Sequence, residues 1–219
     1  MRVRVSILYP DLLMNALTPN LSNQQPSDGR RARSQRGRLA ALEAMIDLLN
    51  DGHTPPSANQ VAQRAGISVA TLFRYFETLE DLRKYATQQC LERFAHLFEM
   101  PQVGMGTTEE KIATLVASRL DQYQAIGPIA RLIRWRAFDS PEVRSTLAQQ
   151  RQKQRQQLAT HFAKEMNSLS LREQEDLLAS LVALTSFEAW DQRTEDQQHS
   201  SKRIASSWEK TLAQLLAAR

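Results

Sequence analysis

The chain has 219 residues and a formal net charge of +4, from 28 basic and 24 acidic side chains. That length suits one large helical domain, or a small domain joined to a larger one. A single cysteine, Cys90, excludes an intrachain disulfide framework and fits a reducing compartment. No apolar run approaches the roughly 20 residues that span a bilayer.

Residues 1–29 carry Pro10, Pro19 and Pro26 among Asn, Gln and Ser, the composition of a flexible tail. Pro10 and Asp11 interrupt the apolar character of the opening segment, so it does not read as a signal peptide, and a cytoplasmic location is expected. The run from Arg30 to Arg38 then holds Arg30, Arg31, Arg33, Arg36 and Arg38 and no acid. From Glu99 onward the chain has 16 basic and 15 acidic residues, so the positive excess sits toward the N-terminal part. This basic arm leads into a predicted helix of about 37–50, whose Leu39, Leu42, Met45, Ile46 and Leu49 recur at three and four. Asp51–Gly52 ends that helix, and Pro55–Pro56 stiffens the approach to Ser57.

Residues 57–76, SANQVAQRAGISVATLFRYF, read as two short helices joined by a tight turn. Ser57 and Gln60 have the spacing of a capping box. Val61, Ala62 and Ala65 form the inward face of the first helix, and Gly66 supplies a turn position where a left-handed backbone costs little. Ile67 fills the angle between the helices, Ser68 caps the second, and Leu72 with Tyr75 or Phe76 faces back toward the first. Ala62 matters because helices crossing near perpendicular need a small side chain at closest approach. This is the pattern of a helix-turn-helix, whose second helix enters the DNA major groove. A generic helical hairpin shares the capping, but not the small-residue, glycine and apolar positions together beside an arginine-rich arm. Arginine in that arm suits phosphates or a minor groove.

A helix of about 79–98 follows, capped by Thr78 and Asp81, with Leu82, Tyr85, Ala86, Cys90, Phe94, Leu97 and Phe98 inward. At 1.5 Å per residue it is about 30 Å long and would connect the head to the rest of the chain. PQVGMGTT at 101–108 reads as a linker. Helices are expected at about 109–125 and 128–137, interrupted by Gly127–Pro128, and then at about 140–166 with a largely polar surface. Ser170 opens a strongly apolar helix of about 171–192, and a last helix of about 200–218 carries Ile204, Trp208, Leu212, Leu215 and Leu216. The expected fold is all-α, with a three-helix head and a larger C-terminal bundle, about nine helices in all. The expected boundaries are a tail at 1–29, a basic arm and helix-turn-helix at 30–84, and a ligand-binding and dimerisation domain at 99–219. The last two helices are the candidate dimer interface, through Leu177, Leu181, Leu184, Trp208, Leu212 and Leu215, with two helices from each subunit forming a four-helix bundle.

Catalytic chemistry is not indicated. His53, His96, His161 and His199 are scattered, and neither HExxH nor CxxC occurs, so no metal site and no cofactor are expected. Cys90 reads as core and the acidic cluster Glu173, Glu175 and Asp176 as a helix N-terminus. For a small-molecule ligand the candidates are Arg131, Trp135, Phe138, Phe162, Phe187 and Trp190, on the middle helices of a bundle. Of Arg131, Arg134 and Arg136, one would face an anionic ligand, against the plainer reading of helix-surface charge.

Over about 38–82, ALEAMIDLLNDG followed by PPSANQVAQRAGISVATLFRYFETLEDL, the chain resembles the TetR family of bacterial transcriptional regulators. LVALTSFEAWDQ is similar, more loosely, to the penultimate helix of many members. The resemblance implies an Ω-shaped homodimer of nine-helix subunits on a double-stranded DNA operator, most often repressing until a small molecule binds the C-terminal domain. It implies that Ser57 holds a phosphate and that Ser68, Val69, Ala70 and Thr71 open the recognition helix. Phe73 stands where most members have a phosphate-binding tyrosine, and Leu79 where most have a lysine. Arg74, Tyr75 and the arm residues Arg33, Arg36 and Arg38 are the candidates to compensate. The same two departures motivate a second reading, a helical protein-interaction regulator with weakened or lost DNA binding.

Overall fold

The computed structural model describes the backbone of residues 26–217 and side chains from residue 32 onward. The expected tail lies largely outside these residues. Within them the chain is all-α, and it divides into two compact units that meet between Cys90 and Leu91.

The first unit contains α1 (Pro26–Asn50), α2 (Ala58–Arg64), α3 (Val69–Tyr75) and most of α4 (Leu79–Arg93). The helix expected to begin near residue 37 begins at Pro26, so the basic run is the N-terminal half of α1 and not an extended arm. Nothing in 30–38 forbids this, because arginine, alanine and glutamine are all good helix formers. The core of the unit is Ala41, Leu42, Met45, Leu48 and Leu49 of α1 against Val61, Ala62, Leu72, Phe76, Leu82 and Ala86. Leu39 and Ile46, expected inward, are half-buried.

The second unit is built on α5 (Thr108–Asp139), 32 residues long. Against it pack α6 (Pro141–His161), the short 3-10 helix Ala95–Phe98, α9 (Phe187–Glu195) and α10 (Ser201–Ala217). The four-residue α7 (Ala163–Met166) follows α6, and α8 (Leu171–Leu184) packs on α6 and α10. Gly127–Pro128 does not interrupt α5. Proline removes one backbone hydrogen bond and costs about 3 kcal/mol. Burial of Ile126, Ile129, Ala130 and Leu132 around it opposes that cost. The glycine also serves packing: a Cβ on Gly127 would lie 3.2 Å from the Trp190 ring.

The single helix expected over 171–192 is two. Ser186 caps α9 by accepting from the Ala189 amide at 3.1 Å, which its side chain does only by leaving helical geometry. On the other side of the break, Tyr123 donates its hydroxyl to the Thr185 carbonyl at 2.8 Å, satisfying one of the terminal carbonyls of α8. The long helix at 140–166 likewise breaks at Phe162, and the helix at 79–98 ends at Arg93.

One buried polar group fixes the start of α5. Lys111 is 1 % exposed and its Nζ pairs with both carboxylate oxygens of Glu165 at 3.0 Å. His161, also buried, accepts from the Gly104 amide through Nδ1 at 3.1 Å, so its proton is on Nε2, 2.9 Å from the Lys111 carbonyl. Burial lowers the His161 pKa below its ordinary 6.5, with the Lys111 charge adding to the effect. Burial alone would raise the Glu165 carboxyl, but hydrogen bonds from Lys111 and Thr108 outweigh it and hold the carboxyl below its usual range.

The unfolded chain therefore takes up a proton at residue 161 more readily than the folded one. Stability is full above pH 6.5 and falls as pH drops through that value toward the lower folded pKa. Urea denaturation between pH 8 and 5 is expected to show this decline, and His161→Gln to flatten it. An unchanged decline in the variant would assign the pH dependence elsewhere.

Candidate functional site

The α2–α3 pair has the local geometry that its residues predict. Ser57 Oγ accepts from the Gln60 amide at 3.3 Å, and Gln60 Oε1 accepts from the Ser57 amide at 2.9 Å, a complete capping box. Gln60 also meets His53 Nδ1 at 3.1 Å. Gly66 has φ +68°, and the Ile67 amide donates to the Ala62 carbonyl at 3.0 Å, closing the turn. Ser68 caps α3 from the Thr71 amide at 3.1 Å and donates its hydroxyl to Thr71 Oγ1 at 2.9 Å. Leu72 and Phe76 turn inward, while Ala70, Phe73 and Arg74 face water. Val69 and Thr71 are half-exposed.

The cationic side chains differ in how they are held. Arg36 is exposed and has no ion pair among the described residues, and Arg33 is exposed beside it on α1. Arg38 lies with its guanidinium 4.9 Å from the Phe76 ring centroid and 5.2 Å from that of Tyr85, which ties α1 to the end of α3 and to α4. Arg64 pairs with Asp51 at 2.8 Å and braces the turn before α2. Tyr75 packs its ring tip over Gly37, where a Cβ would come within 2.4 Å of it, and Arg74 lies 5.7 Å from the same ring. Its hydroxyl is thus directed at α1 and is not a simple replacement for a phosphate donor on α3. Phe73 is 42 % exposed, an apolar ring on the outer face of α3. Leu79 is half-buried.

The six ligand candidates do not converge. Phe187 and Trp190 join Tyr123 in an aromatic cluster with centroids 5.4–5.9 Å apart. Phe162 is buried elsewhere, edge-on to His161 at 4.9 Å. Phe138 is 80 % exposed near the end of α5. Arg131 is committed to Asp191 at 2.8 Å and Glu195 at 2.7 Å, and Trp135 is half-buried. Of the six, Phe187 borders a cavity of about 300 Å³ whose wall also includes Arg119, Gln154, Leu158, Val182 and Thr185. Sequence reasoning missed Arg119, although the signal was present. It lies at the spacing of three and four set by Leu115, Val116, Leu120 and Tyr123, a cation on a buried stripe. A larger trough of about 720 Å³ follows the polar face of α10 from Ser200 to Gln214 and is lined by that helix alone.

The proposed dimer residues are also redistributed. Leu181, Trp208 and Leu212 are fully buried within the subunit, so they cannot present a face to a second copy. Apolar residues at three and four mark a buried stripe, and a chain's own core uses that stripe as readily as a partner does. Leu177, Leu184 and Leu215 remain partly exposed.

No family model matches the sequence, and no curated protein does. Solved structures do. A TetR-family transcriptional regulator from Streptomyces coelicolor is 18% identical, with 84% of this chain and 82% of that one superposed at a TM-score of 0.60. A transcriptional regulator from Rhodococcus sp. Rha1 is 17% identical over 84% and 96% of the two chains, with a TM-score of 0.57. A TetR-like regulator from Rhodococcus sp. RHA1 is 19% identical over 85% and 97%, with a TM-score of 0.54. The fold is therefore the all-α fold of TetR-type regulators.

At Gly66 nothing lies within 4 Å of an added Cβ, so the cost of a side chain is the left-handed backbone alone. Gly66→Ala is expected to lower stability by about 1 kcal/mol in chemical denaturation, and Gly66→Asn by less. Equal costs for the two variants would point to a cause other than φ.

Proposed function

We propose that this chain is a TetR-family, DNA-binding transcriptional regulator. In this reading it is a cytoplasmic repressor that binds a near-palindromic operator as a homodimer. A small molecule bound in the unit beginning at Leu91 releases it. No cofactor, metal or catalytic step enters the reading.

The observation that carries it is the capped α2–α3 pair, with Ala70, Phe73 and Arg74 outward on α3 and Arg33 and Arg36 exposed on α1. A helix so presented suits the major groove. The Ser57, Ser68 and Thr71 hydroxyls are at helix starts, where backbone amides also favour a phosphate. Arg33 and Arg36 suit the backbone or an adjacent minor groove. Homodimerisation is assigned to α8 and α10, now through Leu177, Leu184 and Leu215. The covalent link between the two units is α4, which is the route by which a ligand would change the head.

Purified protein is expected to retain particular genomic duplex fragments, with affinity falling steeply as salt rises. Arg36→Ala is expected to weaken binding to all duplexes and to reduce the salt slope by about 1. Thr71→Ala is expected to weaken the preferred sequence more than others. Retention of no duplex in preference to any other, at any salt, would overturn the reading.

The exposed ring of Phe73 favours one alternative, a protein-interaction regulator in which this ring meets a partner protein. Phe73→Tyr separates the two. On an operator the added hydroxyl is expected to gain about fivefold in affinity through one phosphate hydrogen bond. For a protein-docking head it changes partner binding and leaves DNA binding absent.

A further inference from the structure

Arg119 is 3 % exposed, its Nη2 is sealed from solvent without a hydrogen-bond partner, and it makes no ion pair among the described residues. Burial lowers the pKa of its guanidinium, yet an arginine does not lose its proton in a protein. Among the described residues, folding therefore leaves a buried cation without a counter-charge, a condition that disfavours the folded state. The neighbouring arginines of the same cavity are each supplied. Arg134 reaches Glu188 at 3.0 Å, Arg151 shares that carboxylate, and Arg155 meets Glu175 at 3.1 Å. Glu188 is the one carboxylate among the described lining residues, and two arginines already hold it. Three residues along α5, Gln122 Nε2 is a second buried donor without a partner. The rest of the wall is largely apolar: Leu158, Ala179, Val182, Ala183 and Phe187.

We propose that this cavity binds a small amphipathic carboxylate, its head accepting hydrogen bonds from Arg119 and its apolar body lying against Leu158, Val182 and Phe187. The proposal rests on the reading of this unit as the ligand-sensing part of a regulator, and it names the chemical class of the ligand. A guanidinium presents paired donors that match a carboxylate. A phosphate dianion would need a second unclaimed cation, and the other arginines of the wall are engaged. The volume, about 300 Å³, is at the lower end of ligand cavities, so the body is small.

The test is calorimetric titration of the full-length protein with sodium octanoate, octanamide and inorganic phosphate. Octanoate is expected to bind, octanamide to bind on the order of thirtyfold more weakly, and phosphate not to bind. Arg119→Met removes the unpaired charge but keeps much of the packing. It is expected to leave the ligand-free melting temperature unchanged or higher while reducing octanoate affinity to the octanamide level. Val182→Phe, which fills the cavity and leaves the charge alone, is expected to reduce the affinity for both. Equal binding of octanoate and octanamide, undiminished octanoate binding by Arg119→Met, or tighter binding of phosphate would each overturn the proposal. A duplex-retention assay on the same preparation keeps the two readings apart. Octanoate binding at Arg119 without any duplex retention supports this site and counts against the regulator. Duplex retention without octanoate binding overturns this site alone.

Discussion

The second unit depends on α5, a helix buried on so many sides that it cannot keep its polar residues in water. Lys111, Arg119, Gln122 and Arg136 all lie on its buried surface. Each cation there must find its counter-charge inside the unit, or the fold bears the cost of desolvating it. Lys111 shows how the requirement shapes the chain around it. Glu165 is brought to it by the break after α6, and the adjacent His161 joins the Lys111 carbonyl to the loop at Gly104. The same helix tolerates Pro128 in its middle because burial of the surrounding turns outweighs one absent hydrogen bond. Tyr123 continues the pattern. Its hydroxyl, pushed up to about 12 by burial, stays protonated as the donor that satisfies the end of α8.

The first unit is organised by a different economy. Two of its helices, α2 and α3, have seven residues each, too short to be stable alone. Side-chain caps at Ser57, Ser68 and Thr78 supply what length does not, and a left-handed glycine sets the crossing. The core beneath them is small side chains and leucines, which lets α2 and α3 sit close on α1. Rigidity of this kind is what a helix needs if its outer face is to meet a groove with fixed side-chain positions. Arg38 contributes to it as much as to charge, since its guanidinium covers two aromatic rings that anchor α3 and α4.

What could be read from residues alone follows from the range of the interactions. Caps act over three residues, so Ser57 with Gln60 and the caps at Ser68 and Ser170 were legible, and with the first two the α2–α3 pair. The continuity of α5 and the break at Thr185–Ser186 were not. Proline argues for a break, which burial of the surrounding turns overrode, and an apolar run argues against one, which the Ser186 cap and the Tyr123 hydroxyl overrode. The start of α1 was missed for a related reason, because charge suggested an extended arm where propensity allows a helix. The site residues of the second unit were the least legible. Apolar periodicity identifies a buried face without saying whether a partner, a ligand or the chain itself covers it. Leu181, Trp208 and Leu212 turned out to be the chain's own core, and Phe138 a surface ring. Arg119 was missed although its signal was present, a cation on the buried stripe of α5.

The two units use one residue type in opposite ways. In the first, Arg36 and Arg74 are exposed and hydrated, so any anion that meets them must displace water and counter-ions. Attraction of that kind is long-ranged, weak per contact and sensitive to salt. In the second, the cost of stripping water from Arg119 is already borne on folding. An anion arriving there has only its own hydration to lose, and the fixed guanidinium needs no further ordering. On the readings proposed above, the same charge would give reach along a polyanion at the surface and selectivity for one anionic group in the interior. Burial, and not residue identity, decides which.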